Sequence, residues 1–310
     1  MKMKPNLNQD SFIHNIKRYK GPLLMTLPAI IAVFVFGYLP MSGLVIAFKD
    51  YNIFDGIWGS PWVGWDNFIT VFNDPDMLKA IFNTFLYGVV IVFGAFPFPI
   101  ILALLFNELR NMRFKKFAQS VAYLPHFLSW ITVIGLFYTL FATEGPINQI
   151  LVSIFPNYEP KNILLDSKYF LPIIFSSHLW KNVGWSSVLF LAAITGIDQT
   201  LYEAASVDGC GKWRQVWHVT LPGIKSTAVI ALVMSLSSLV NVNFEQIYGF
   251  QNVYTQDSTE IISTLIYRQG IQNGKYSLST AFGLAQGVVM ASLVLGANAI
   301  SKKVADTSIW

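Results

Sequence analysis

The sequence predicts an all-α, polytopic membrane protein with six transmembrane helices, and composition, run length and charge placement each lead there. Apolar residues make up 54% of the 310-residue chain, charged residues only 12%, and mean hydropathy is +0.49, whereas ordinary globular domains are about 25% charged. Aromatic residues at 15% agree, because Trp and Tyr gather where a bilayer meets water. Six runs are mainly apolar over the roughly 20 residues needed to cross about 30 Å of hydrocarbon: 23–48, 83–106, 121–141, 169–197, 224–244 and 279–300.

Taken in order, the first element is an N-terminal tail, 1–22, with Lys17, Arg18 and Lys20 ahead of an apolar run. That arrangement resembles a secretory signal, but 23–48 outlasts the roughly 7–15 apolar residues of one. No small-residue cleavage site follows, so the run reads as a retained anchor. The loop after it carries Trp58, Trp62 and Trp65, which suit interfacial anchoring or a substrate-facing cluster. Pro28 and Pro40 interrupt the first run, Pro97 and Pro99 the second, Pro172 and Gly184 the fourth. Such residues kink helices, and membranes tolerate them where a neighbouring helix or a cavity satisfies the freed backbone groups.

Six spans put both termini on one side and make the connectors alternate. The tail 1–22, the loop 107–120, the loop 198–223 with flanking Lys225, and the tail 301–310 together hold fourteen Lys and Arg, against six in the other connectors, while Lys181 falls inside the fourth run. By the positive-inside rule both termini are cytoplasmic. This placement also accounts for the sequence pI of about 9.0 without a nucleic-acid partner. Residues 23–300 form one membrane domain, with no internal repeat.

Several chemistries are disfavoured. Cys210 is the one cysteine, so no internal disulfide can form. His14, His126, His178 and His218 show no metal-ligand or catalytic spacing, and no catalytic or metal-binding residue is assigned. Gly270, Gly274 and Lys275 have the wrong gap, and no hydroxyl follows, for a phosphate-binding loop. Any ATP-driven motor must therefore be another chain.

The loop between the fourth and fifth runs is unusual for a connector. Leu201 to Val207 suits a short helix with a small-residue surface at Ala204, Ala205 and Ser206; Asp208 to Gly211 suits a turn whose glycines tolerate positive φ; and Lys212 to Val219 suits a second helix ending before Leu221 and Pro222. Glu203-Ala204-Ala205, then Gly209, then Val219-Thr220-Leu221-Pro222 resembles the EAA loop of binding-protein-dependent ABC importers, with Val219 in place of the usual isoleucine. The shorter strings WVGWDNF at 62–68, YLPHFLSW at 123–130, GPINQIL at 145–151, FEQIY at 244–248, YSLSTAFGL at 276–284 and SIW at 308–310 are similar to the carbohydrate branch of these permeases, in particular the lipoprotein-linked polysaccharide permeases of bacilli.

That resemblance implies a type I ABC importer transmembrane domain, maltose-permease-like, in a bacterial cell membrane. It implies a second homologous permease subunit, two ATP-binding subunits carrying ATP and Mg, and an extracellular substrate-binding lipoprotein that delivers a carbohydrate, specifically an oligosaccharide. No cofactor is expected on this chain, and it is not expected to be an enzyme. Glu203, Ala204, Ala205, Gly209, Leu221 and Pro222 would couple it to the ATPase. An amphipathic hairpin on the membrane surface is the competing reading of the loop.

For the substrate pathway the polar residues inside the apolar runs are candidates, since intramembrane charge is expensive and marks function by default. Trp180, Lys181 and Asn182 offer an aromatic face, a cation and an amide; Asn241, Asn243, Glu245, Gln246 and Tyr248 offer donors and acceptors. Sugars present hydroxyl rims and apolar C–H faces, which such a mixture can meet in a shared cavity, with Lys181 and Glu245 as a candidate pair. The same residues could instead bond helix to helix. A secondary transporter or channel without an ATPase is the rival function, and it would have no use for the EAA loop.

Overall fold

The chain is all-helical in a computed structural model that describes residues 19–155 and 157–305, with side chains at all of them except 237 and 297–305. Lys2, Lys4, Lys17 and Arg18 of the basic tail, His14 and the closing Ser308-Ile309-Trp310 lie outside the described residues. There is no strand among the described residues, and sheet-like pairing is confined to one bridge between Lys49 and Trp62.

Helix α1 (Lys20–Phe48) loosens to π geometry over Phe34–Tyr38 and tightens to 3-10 geometry over Leu39–Phe48, where Pro40 lacks the N–H that would close an α-turn. Most of it is exposed, Met25 and Phe36 above 80%. A surface so apolar needs lipid or another protein as its surroundings. After α2 (Asp66–Asn73) comes α3 (Pro75–Glu108), which begins ahead of the expected 83. Pro75 sits at its first position, and Asp74 caps it by accepting from the Asp76 N–H at 2.9 Å, both strong start signals.

Two of the expected runs are interrupted. The run 121–141 is divided between α4 (Met112–Tyr123) and α5 (Trp130–Phe141), with a 3-10 turn at Leu124–Phe127 and Leu128 extended between them. Pro125 cannot continue the α-ladder, and Ser129 restarts it by accepting from the Thr132 N–H at 3.2 Å. Helix α6 (Pro146–Ile154) follows, then α7 (Phe170–Thr195), α8 (Gln199–Val207), α9 (Lys212–Gly223) and α10 (Lys225–Ser235), the last two meeting at 61°. The run 224–244 is the second broken one. Beyond α10 it tightens to 3-10 at Leu236–Leu239 and opens at 240–243 before α11 (Phe244–Phe250). Gly88 of α3 presses on this point, and a Cβ there would meet the Leu239 carbonyl oxygen at 2.4 Å. Helices α12 (Ile262–Ile266) and α13 (Tyr276–Ala305) complete the chain.

Among the described residues four helices are long and apolar enough to cross a membrane, Lys20–Phe48, Pro75–Glu108, Trp130–Ile154 and Tyr276–Gly296, or five if the bent α9–α10 pair is one span. Apolarity alone therefore stops short of six. Helix α7 has the length, 26 residues, but Ser176, Ser177, His178, Lys181 and Asn182 dilute its middle.

Three clusters of buried side chains hold the helices together. Trp130, Val133 and Phe137 of α5 meet Ile173 and Ile174 of α7 and Ile247 and Phe250 of α11. Val71, Met77 and Ala80 meet Ile262, Leu265, Ala281 and Phe282. At the opposite ends of α3 and α7, Ala103, Phe190, Ile194 and Ile224 form the third.

Candidate functional site

The loop after α7 is a compact hairpin of two short helices. Asp198 caps α8, its carboxylate accepting from the Thr200 N–H at 2.9 Å, and those bonds hold its carboxyl below the usual range. At the other end Gly209 has φ +76. The Cys210 N–H reaches back to the Ala205 carbonyl at 2.9 Å, and the Gly209 N–H reaches Ser206 at 3.1 Å. This is the double bond pattern that closes a helix through a left-handed residue, so the glycine of the motif is explained by backbone geometry.

The two arms are tied side by side. Tyr202 and Thr220 share a hydroxyl–hydroxyl bond of 3.0 Å, and Gln215 donates to the Ser206 hydroxyl at 2.9 Å and the Cys210 carbonyl at 3.2 Å. Glu203 and Ala204 face outward, Ala205 is half-buried, and Leu201, Val207, Trp213 and Trp217 are all more than half exposed. Leu221 packs against the Ile224 cluster, while Pro222 is exposed at the start of the bend. The loop thus has a rigid interior, an uncovered apolar and acidic face, and a buried root between α3, α7 and α10.

At the two helix interruptions lie two adjoining cavities, both open to the surface. One, of about 510 Å³, is lined by His126, Trp130, His178, Asn182, Trp185, Asn241, Asn243 and Phe244, among others. The other, of about 730 Å³, continues from it along α3, α7 and α10 and is largely apolar. Ile91, His178, Asn182, Trp185, Ser186 and Ser238 border both. The polar cavity coincides with the two helix interruptions, because 126–130 and 241–244 supply much of its wall. Irregular backbone at membrane depth is tolerated where it lines a cavity or is buried in protein, and here each interruption is also served by a long side chain. The Lys181 ammonium donates to the carbonyls of His126, at 2.8 Å, and Leu128. The Gln286 amide donates to the carbonyl of Val240.

The candidate pathway residues therefore separate. Asn182, Asn241 and Asn243 do line one cavity, although Asn243 also caps α11 by accepting from the Gln246 N–H at 2.8 Å. Trp180 points the other way, onto Phe137 at 6.3 Å. Lys181 is buried behind the wall, its ammonium 5.5 Å from the Trp130 ring centroid; it makes no ion pair with Glu245, which is exposed. Gln246 is fully buried and bonds helix to helix, donating to the Ile174 carbonyl at 2.8 Å and the Ser177 hydroxyl at 2.9 Å. Tyr248 stacks on Phe244 at 5.2 Å and accepts from Gln272 at 3.4 Å. Trp58, Trp62 and Trp65 border neither cavity; Trp62 lies flat on Phe48 at 5.7 Å and Trp65 meets it edge-on at 5.3 Å.

Sequence reasoning missed His126, Trp130, His178 and Trp185 as neighbours, with the His126 ring stacked on Trp185 at 4.9 Å and 3°. A signal existed in Pro125 and in Ser129 before an apolar run, a helix-start signature that breaks the assumed span where the cavity lies.

Comparison with known proteins agrees with this architecture. The chain is 41% identical over 294 residues to Protein LplB of Bacillus subtilis, covering 94% of this chain and 92% of that protein. It is 41% identical over 288 residues to the polygalacturonan/rhamnogalacturonan transport system permease protein YteP of the same organism, covering 93% and 89%. A chain in the crystal structure of a bacterial alginate ABC transporter, in complex with an alginate pentasaccharide-bound periplasmic protein, matches with TM-score 0.88 and 36% identity over 96% of this chain and 99% of that one. Residues 76–305 match the family described as binding-protein-dependent transport system inner membrane component, and with most of its length inside that match the chain belongs to this family of membrane transport subunits.

Proposed function

We propose that this chain is the permease subunit of an ATP-driven importer that moves a carbohydrate of oligosaccharide size, delivered by an extracellular binding protein. In this reading six helices cross the bacterial cell membrane, α7 among them, and both termini are cytoplasmic. A second, homologous permease completes the pathway, and two ATP-binding subunits hold ATP and Mg. The chain itself binds no cofactor and catalyses no reaction. The loop 198–223 seats Glu203, Ala204, Ala205 and Gly209 on an ATP-binding subunit, and the Leu221-Pro222 root passes the movement to the bundle.

One observation carries the reading: a cavity walled by imidazoles, indoles and three asparagines sits between two helix interruptions on the helix that leads into the loop. Aromatic faces suit the C–H faces of sugars, and amides suit their hydroxyls. Support for the solute class comes from relatives whose names concern polygalacturonan and rhamnogalacturonan, arabinooligosaccharides, and alginate. A channel or ion-driven carrier would leave the docking face of the loop without a partner.

The test is a gentle detergent pull-down of the tagged chain from its native membranes, followed by ATPase and solute-uptake assays after reconstitution, beside Glu203→Lys. Recovery of an ATP-binding subunit and a second permease, lost in the variant, supports the importer. A chain that purifies alone and supports uptake without ATP would sink it.

A further inference from the structure

Lys181 stands in the middle of α7, buried, with its ammonium on two backbone carbonyls of the 124–129 interruption and near the face of Trp130. A buried ammonium in a membrane helix is costly unless paired or well solvated by dipoles. Gln286 performs the corresponding service for the other interruption with a neutral amide, so freed carbonyls do not by themselves require a charge. What a cation adds is strength, since charge-assisted hydrogen bonds are about twice as strong as neutral ones. One turn further along the same face of α7, Trp185 stacks on the ring of His126. Helix α7 therefore grips the interruption twice, by its backbone through Lys181 and by a side chain through Trp185. The backbones also touch there, for Gly184 lies directly against the Ala122 carbonyl.

The other end of α7 runs almost without pause into the loop. Only Gly196, Ile197 and the cap Asp198 separate Thr195 from α8, and Ile197 is wedged against Gly223 at the root of the second arm. One uninterrupted helix thus carries the loop at its end and the cavity wall at its middle.

We propose that Lys181 is a positioning residue, a latch that fixes the 124–129 segment to α7 so that displacement of the 198–223 loop moves the His126–Trp185 wall of the cavity as one body. The inference rests on the reading of that cavity as the solute path. It goes beyond that reading in giving Lys181 a mechanical role, outside contact with solute, that connects the loop to the cavity. Rigid secondary elements and hydrogen-bond networks are carriers of coupling between sites, whereas nearness alone is not.

The experiment uses the whole complex, with partner permease, ATP-binding subunits and binding protein, in proteoliposomes. Lys181→Met, Lys181→Gln and Lys181→Arg are compared by basal ATPase, by its stimulation with solute-loaded binding protein, and by uptake. Spin labels at Phe127 and Leu189, in a Cys210→Ser background, report whether segment and helix move together. The expected result for Lys181→Met is basal ATPase within about twofold of the parent, stimulation and uptake reduced at least tenfold, and a label distance that varies with nucleotide where the parent's is constant. Lys181→Arg should restore most of the stimulation. If the methionine variant fails to assemble, Lys181→Gln, which keeps a donor without the charge, carries the same expectation in weaker form. Stimulation retained in both neutral variants, or a label distance that varies equally in the parent, overturns the latch. Asn241→Ala separates the two ideas: an unchanged KM for uptake removes the cavity reading and the latch with it, whereas a changed KM beside fully stimulated Lys181→Met removes the latch alone.

Discussion

Gly184 of α7 and Ala122 of α4 are in backbone contact: a Cβ added to the glycine would lie 1.9 Å from the Ala122 carbonyl oxygen. No side-chain motion can relieve a clash with backbone, so the two helices cross this closely only because the position is glycine. In lipid, where apolar burial does not drive helices together, such close approach is what packing energy depends on. Gly184→Ala should therefore destabilise the subunit by about 1–3 kcal/mol, the usual cost of overpacking. Gly135→Ala, where a Cβ meets nothing within 4 Å, should be neutral or stabilising by up to about 1 kcal/mol, since alanine is the better helix former. Thermal unfolding in detergent checks the pair, and equal melting of the two variants would contradict the contact.

Gly209 poses the opposite problem. Nothing lies within 4 Å of its added Cβ, and only φ +76 constrains it. Gly209→Ala should cost roughly 1–2 kcal/mol of loop order, Gly209→Val more, and Gly209→Asn distinctly less because Asn tolerates the left-handed region. Hydrogen exchange of the Cys210 amide, whose bond closes the turn, reads this directly. A ranking in which Asn is no better than Val would mean that the glycine is needed for docking space instead.

The α8 cap should be pH-sensitive. Asp198 has its carboxyl held down by its bonds to Thr200, so its stabilisation is present above the ordinary Asp value and fades as pH falls through the lower folded one. Asp198→Ala should weaken α8 by removing its N-cap and abolish that acid dependence. Hydrogen exchange across 199–207 at neutral and acid pH tests both parts.

Glu260, outside the spanning helices, behaves in the opposite sense. Burial pushes its carboxyl up, although a bond from Thr264 and the adjacent Arg268 both pull it down. A carboxyl raised on folding gives stability that is present below the ordinary Glu value and lost as pH rises through the folded one. Arg268→Met should therefore destabilise the 251–275 segment most at high pH, and Glu260→Gln with Arg268→Met should recover much of the loss. Proteolysis of that segment across pH distinguishes this from a pH-independent effect.

Gln246 and Asn241 should part company in function. Gln246→Leu removes bonds between α11 and α7 and should lower stability by about 1 kcal/mol with the solute KM unchanged. Asn241→Ala, at the cavity wall, should raise KM with little effect on melting. Uptake kinetics beside melting curves would show the assignment reversed if Gln246 were the residue that moved KM.

The amino-acid sequence by itself determined the solvent, the helical class and the loop. Long apolar runs in a chain 12% charged admit few other structures, and the Glu203-Ala204-Ala205 to Gly209 spacing is local, fixed by one helix and the turn that ends it. The residues of the cavity were legible only in part. Asn182, Asn241 and Asn243 stand out as polar residues in apolar runs, but so do Gln246 and Lys181, and sequence cannot say which face of a helix meets a void and which meets a neighbour. Tertiary structure decided that. The interruption at 124–129 turns His126 and Trp130 inward, and α7 crosses the end of α4 at Gly184 and brings Lys181 onto carbonyls more than fifty residues earlier in the chain. Hydropathy averages over such a break because Leu124, Phe127 and Leu128 keep the local mean apolar, whereas hydrogen bonding cannot, since each freed carbonyl must find a donor.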